Sequence, residues 1–296
     1  MSFPEKHWAQ SMAEGLSPED GIRALGWLWK NYDLVKSRLL SIREWFRSNP
    51  AALDSERGIL IIGPAGAGKT TLARILAGDL DWLTDDPWEY GESLGVEQFT
   101  LEDDNRVSVV VPPGQHARRI TLWSQIEQDL AGGKYRGVVL VSAYGYHSLA
   151  RGSYKRHPLY AGNKDRFLEA FVERGREDEL AILRRLDPHF RIGPGKMWLL
   201  SLAAKEDLWF KEYDTVRDFY LAGIYHETVS SLSGVRGTVN FRHEFLPLSF
   251  VISNFVSGDG ETLRSNTAGY DQRRQIESVR RLFEVLKELM DWENTK

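Results

Sequence analysis

The sequence predicts an α/β architecture: a six-stranded, mostly parallel sheet with one antiparallel edge strand, helices on both faces, and a helical extension ahead of it. Three observations carry that prediction. Short apolar, β-branched runs alternate with segments of helical periodicity, the pattern of a parallel sheet covered on both sides. The first of those runs, Gly58-Ile59-Leu60-Ile61-Ile62, passes through a Gly-rich loop directly into a helix. Two further runs, residues 96–101 and 107–111, flank Asp103-Asp104-Asn105, a tight turn that makes one strand pair antiparallel.

In chain order, residues 1–20 are polar and irregular. Residues 21–48 place Leu28, Tyr32, Val35, Leu39, Ile42 and Phe46 at alternating spacings of four and three, a one-sided helical stripe closed by Asn49-Pro50. Residues 1–57 are therefore assigned as an N-terminal helical extension and 58–296 as the main domain. In the main domain, Leu72, Ile75 and Leu76 share one helix face, and Gly78 ends that helix. After the hairpin comes a helix over about 121–130, then a buried strand, Val138-Val139-Leu140-Val141. An insertion-like stretch runs to about Asn163, followed by helical sequence over 165–186 broken near Gly175. Met197 to Ala203 form the next strand, residues 206–232 are rich in helix, and Leu248-Ser249-Phe250-Val251-Ile252 is read as the last strand. The final helix carries Ile276, Val279, Phe283, Leu286 and Met290 at spacings of three and four. Residues near 144–164 and 208–245 are read as insertions in the main domain.

The loop after the first strand carries the chemistry. Gly63-Pro64-Ala65-Gly66-Ala67-Gly68-Lys69-Thr70 fits Gly, four residues, Gly, Lys, then Ser or Thr. The glycines let the backbone turn its N–H groups inward around a polyphosphate, with Thr71 continuing into the helix. Lys69 would reach the terminal phosphates, and the Thr70 hydroxyl would ligate Mg²⁺. A strand before the loop and a helix after it are the context this motif requires.

Composition narrows the class. With 42 acidic and 38 basic residues the net charge is −4, so nothing supports a general nucleic-acid or membrane-surface binder. The absence of Cys removes disulfides, thiolate nucleophiles and Cys-ligated zinc. The N-terminus lacks a secretory signature, and no apolar run approaches the ~20 residues that span a bilayer. The expectation is a cytoplasmic protein with no transmembrane segment. His147, His157, His189, His226 and His243 lack metal-ligand spacing and are read as packing or surface residues.

Three further segments fall where a nucleotide switch would need them: Glu92-Ser93-Leu94-Gly95-Val96, Val111-Pro112-Pro113-Gly114-Gln115, and Ala204-Lys205-Glu206-Asp207 after an apolar strand. With the phosphate loop and the element order, they resemble a Ras-like small GTPase domain over roughly residues 58–290. The resemblance implies GTP as ligand and substrate and Mg²⁺ as cofactor. Ser93 would join Thr70 on the metal, Gly114 would meet the γ-phosphate, and Gln115 would orient the attacking water. Asp207 would accept from the guanine N1–H and exocyclic amine, with the Lys205 stem over the base plane. Two departures stand out. Val111 occupies the position of an Asp that supports Mg²⁺ through water, a feature similar to bacterial gliding-motility-type GTPases, and Ala204 replaces the Asn that braces the base loop. The implied function is a Mg²⁺-dependent, slowly hydrolysing GTP switch acting on a protein partner through its switch segments, its insertions or the N-terminal helix. Two other readings stand beside it: an ATP-binding phosphate-loop ATPase or signalling module, and a GTP-binding scaffold without turnover. The ATPase would need an acid at the end of a core strand, and residues 107–111, 138–141 and 197–203 all end without one.

Overall fold

The computed structural model describes residues 57–76, 97–100, 108–111, 116–149 and 152–295. The predicted N-terminal helix, the segments around Ser93 and Gly114-Gln115, and the hairpin turn lie outside the described residues. The chain builds one six-stranded sheet in the order β2-β3-β1-β4-β5-β6. Its strands are β1 (Gly58–Ile62), β2 (Glu97–Thr100), β3 (Ser108–Val111), β4 (Tyr135–Ser142), β5 (Met197–Ala203) and β6 (Phe241–Pro247). Among the described strands of this sheet only β2 runs antiparallel, pairing Glu97 with Val111 and Thr100 with Ser108. From β1 the chain first builds outward through β3 and β2, then returns to add β4, β5 and β6 on the other side. The strand order therefore reverses between β1 and β4, and the crevice beyond their carboxyl ends is where open α/β sheets hold ligands.

Seven described helices flank the sheet: α1 (Lys69–Leu76), α2 (His116–Ala131), α3 (Lys164–Ile192), α4 (Glu206–Trp209), α5 (Tyr213–Leu221), α6 (Ile224–Arg236) and α7 (Gln272–Asn294). Strand alternation divides the core between the two faces. Ile59 and Ile61 of β1 face one cluster with Leu72, Ile75, Leu282, Phe283 and Leu286, from α1 and α7. Leu60 and Ile62 face the other with Trp123, Phe167, Leu183, Leu186 and Leu232, from α2, α3 and α6. Each fully buried Leu, Ile or Phe adds roughly 1.5–3 kcal/mol over leaving it exposed, so both faces must be covered. At the other end of the sheet, the fully buried Arg136 of β4 donates to Glu293 Oε2 at 2.6 Å, and Arg57 donates to Glu293 Oε1 at 3.0 Å. Those bonds fasten the end of α7 to the starts of β4 and β1. No helix among the described residues is long and apolar enough to cross a membrane.

Two sequence expectations are corrected. The last strand of the sheet is β6 over Phe241–Pro247, and Leu248 to Ile252 form the loop after it. β6 is an edge strand and tolerates polar residues: Phe241 packs inward, His243 bonds Ser201 at 2.9 Å, and Arg242 pairs with Glu244 on the opposite face. The apolar run that looked like a strand is instead buried loop, with Leu248 and Phe250 in the α1/α7 core. The second correction concerns α3, which runs unbroken for 29 residues through Gly175. A Cβ on Gly175 would lie 2.5 Å from the Gly145 carbonyl oxygen, so glycine there permits close backbone packing and does not end the helix.

Candidate nucleotide-binding site

The loop of residues 63–70 leaves β1 and enters α1 at Lys69, with Thr70 half-buried in the first helical turn. Gly63 passes so close to β4 that a Cβ would lie 2.0 Å from the Val141 carbonyl oxygen. Gly66 has φ +71°, and a Cβ there would lie 2.5 Å from the Ser148 nitrogen. Both positions need glycine, for contact in one case and for contact and conformation in the other. Lys69 is buried, and its ammonium donates to the Pro64 carbonyl at 2.8 Å, drawing the side chain back across the loop. Pro64, Gly63 and Ala67 are buried, while Ala65, Gly66, Gly68 and Thr71 are half-buried along the rim.

Residues 204–207 follow β5. Ala204 carries only a methyl group; its N–H donates to Ser142 O at 2.8 Å and its carbonyl accepts from the Trp209 indole at 3.1 Å. Lys205 takes a left-handed conformation with φ +58°. Its ammonium donates to Tyr146 O at 2.7 Å and to Ser148 Oγ at 3.3 Å, and it lies 5.7 Å from the Phe255 ring centre. Burial lowers the Lys205 ammonium to about 8, against the pull of the Asp207 charge. Asp207 is 1% exposed. Its Oδ1 accepts from the Ser249 hydroxyl, and its Oδ2 accepts from the Ser253 N–H at 3.0 Å. Burial pushes this carboxyl up, and those two donors oppose the shift. Glu206, beside it, is pushed up to about 7 by burial and accepts from the Tyr270 hydroxyl at 3.2 Å.

Two bridges join the ends of β1 and β5. On one side, Ser148 donates from its N–H and its hydroxyl to Gly66 O, both at 3.3 Å, while the same hydroxyl accepts from Lys205. On the other, the Phe250 ring lies 3.2 Å from where a Gly68 Cβ would be, and its neighbour Ser249 holds Asp207. The glycine-rich loop and the Lys205–Asp207 element therefore lie side by side at the carboxyl ends of β1 and β5, beside the crevice where open α/β sheets hold ligands. Ser249 was missed in the sequence because the run around it was read as strand. With β6 ending at Pro247, Ser249 becomes the second residue of the loop facing Asp207, and Ser253-Asn254 contributes a backbone N–H. A polar residue inside an apolar run was the available signal.

Among the described residues no group of three or more His, Cys, Asp or Glu could hold a metal ion. The histidines pack or cap: His147 bonds Glu179, His226 bonds Ser230, and His157 accepts from the Leu159 N–H.

No protein-family model matches the chain. Over 49 residues it is 45% identical to the replication factor C large subunit of Methanococcoides burtonii. That stretch is 17% of this chain, and the chain spans 10% of the length of that curated relative. Similar solved structures include the signal recognition particle receptor SRb-GDP from Chaetomium thermophilum, at TM-score 0.39 and 13% identity over 78% of this chain and 96% of that one. The small COPII coat GTPase SAR1 from Encephalitozoon cuniculi in complex with GDP is similar at TM-score 0.37 and 15% identity, covering 89% and 94%. The Roco2 RocCORdC structure of Methanosarcina barkeri bound to GDP has TM-score 0.35 and 15% identity, covering 79% and 49%. None of these likenesses assigns a family.

Proposed function

We propose that this protein binds a guanine nucleotide with Mg²⁺ and works as a slowly hydrolysing switch that controls a protein partner. The observation that carries the proposal is the adjacency of the two segments. A phosphate loop with a buried Lys69 is bridged by Ser148 to Lys205, and Asp207 lies on the same rim of the sheet. A phosphate loop alone fits any nucleoside triphosphate; the carboxylate is what favours guanine. Each carboxylate oxygen has two lone pairs, so Asp207 can keep Ser249 and Ser253 and still accept from the base N1–H and amine. Adenine offers an acceptor at N1 and would leave the buried carboxylate facing a lone pair, a mismatch of several kcal/mol.

Loop N–H groups from residues 63–71 and the Lys69 ammonium would hold the phosphates, and Thr70 with Ser93 would hold Mg²⁺. When bound, Mg²⁺ supplies charge neutralisation at the phosphate oxygens. Gly114 would contact the γ-phosphate and Gln115 would place the attacking water. The segments around Ser93 and Gln115 would order with the triphosphate and relax after hydrolysis, changing the surface a partner meets. The ATPase reading draws less support, because the described parallel strands end at Ile62, Val111, Ser142, Ala203 and Pro247, none of them acidic. Single-turnover phosphate release tests the hydrolytic part. The natural sequence should turn over on the order of 10⁻⁴ to 10⁻² per second, and Gln115→Leu should be at least about tenfold slower. Equal rates near background in both would leave a nucleotide-holding scaffold.

A further inference from the structure

Behind the crevice sits a charge that the nucleotide chemistry does not use. Glu179 of α3 is fully buried. Its Oε1 accepts from the Ala143 N–H, the Gly145 N–H and His147 Nε2, each at 2.9 Å. Its Oε2 accepts from the Tyr220 hydroxyl at 2.7 Å, and that hydroxyl also accepts from the Tyr144 N–H at 3.2 Å. Burial pushes Glu179 up, but His147 and the two amides outweigh it and hold the carboxyl below its ordinary value. The group is therefore an anion, and His147 is the donor. A buried anion is tolerated only with such a set of donors, and here all of them come from the turn after β4 and from α5.

That turn is bent hard. Tyr144 and Gly145 both have positive φ, +49° and +83°, and non-glycine residues adopt that conformation only when their surroundings fix it. Gly175 lets α3 press against Gly145, bringing Glu179 within reach of donors on residues 143, 145 and 147. The far end of the same turn is Tyr146 O and Ser148, which hold the Lys205 ammonium and the Gly66 carbonyl. Glu179 thus grips one side of a turn whose other side touches both halves of the crevice.

We propose that Glu179 is a positioning residue for the nucleotide site: through residues 143–148 it sets the placement of Gly66 in the phosphate loop and of Lys205 beside the base. The proposal rests on the nucleotide reading above, and the test separates the two. Amide hydrogen exchange is measured on nucleotide-free protein, the natural sequence against Glu179→Gln and Ser148→Ala. Glu179→Gln keeps the size but removes the charge that the amides and His147 point at. It should speed exchange in residues 143–148 and 63–70 by about tenfold while β6 and α7 stay as protected as before. It should also weaken binding of a fluorescent guanine nucleotide by about tenfold, and adding Ser148→Ala should weaken binding little further, as expected of residues acting in one chain of contacts. Exchange that rises equally in β6 and α7 makes Glu179 a residue of the fold alone and overturns the proposal. Should Glu179→Gln fail to fold, Ser148→Ala carries the test: unchanged exchange at 63–70 and 205–207 overturns the proposal. A natural protein that binds no nucleotide but shows the selective exchange response overturns the nucleotide reading and upholds the link from Glu179 to the loop.

Discussion

The two ends of the crevice are built by different means. At the end proposed to hold phosphates, eight consecutive residues define the geometry, and the backbone does most of the holding: Gly63 abuts Val141, Gly66 abuts Ser148, and Lys69 folds back onto Pro64. At the end proposed to hold the base, no short segment suffices. Lys205 and Asp207 come from the turn after β5, Ser249 and Ser253 from the loop after β6, and the Asp207 carbonyl accepts from the Thr267 N–H at 2.6 Å. One end is local and carries fixed backbone dipoles; the other is assembled from three stretches and depends on buried ionisable groups. The first should therefore fail through single side chains and glycines, and the second through pH and through distant loop residues.

The largest effect is expected at the phosphate end. Lys69→Ala should lower nucleoside-triphosphate affinity by about a hundredfold or more with the melting temperature little changed, since truncating one partner of a buried charge pair costs roughly 2–5 kcal/mol. Titration calorimetry beside a thermal melt checks both halves, and retained affinity would sink the phosphate-site assignment. Next comes Glu206 at the base end. Its carboxyl rises from 4.5 to about 7 on folding, so the folded state holds the proton more tightly. The associated stability is fully present below pH 4.5 and is lost as pH rises through 7, an effect on the order of 3 kcal/mol. Denaturant melts between pH 4 and 8 should show that decline, and Glu206→Gln should flatten it; an identical pH slope in the variant would remove Glu206 as its source.

Gly66→Ala is expected to act more mildly, through the backbone. The added methyl meets Ser148 and must adopt φ +71°, for a loss of about 1–3 kcal/mol in stability. Nucleotide affinity should fall with it, because Ser148 is displaced. The smallest effect should be Ser249→Ala, which removes one of the two donors to Asp207 and should weaken guanine-nucleotide binding by about fivefold. A loss that is the same for GTP and ATP would mean that Ser249 supports the fold and not the base.

The same contrast explains what could be read from the sequence. β1, the phosphate loop and α1 were legible because strand, loop and helix are contiguous and each obeys its own local rule. Alternation and the Asp103-Asp104-Asn105 turn made the β2–β3 pair legible as well. β6 was not legible, because an edge strand can carry Arg242, His243 and Glu244, and the apolar run beside it drew the assignment into the loop that follows. The period-two trace of Phe241, His243 and Phe245, all on the α6 side, was the weak signal present. Gly175 misled for a similar reason. Helix propensity counts glycine as a breaker, whereas tertiary contact with Gly145 makes it the residue that fits. Glu179 could not be foreseen at all: on a charged helix it looks like any solvent-facing acid until the turn after β4 is folded over it.

The central claim is that Asp207 and the phosphate loop serve one guanine nucleotide, and competition binding tests it most directly. A labelled guanine nucleotide bound to the natural protein should be displaced by unlabelled GTP and scarcely by a large excess of ATP. In Asp207→Asn that preference should largely vanish while triphosphate is still bound. ATP displacing the label as well as GTP does in the natural protein would contradict the account.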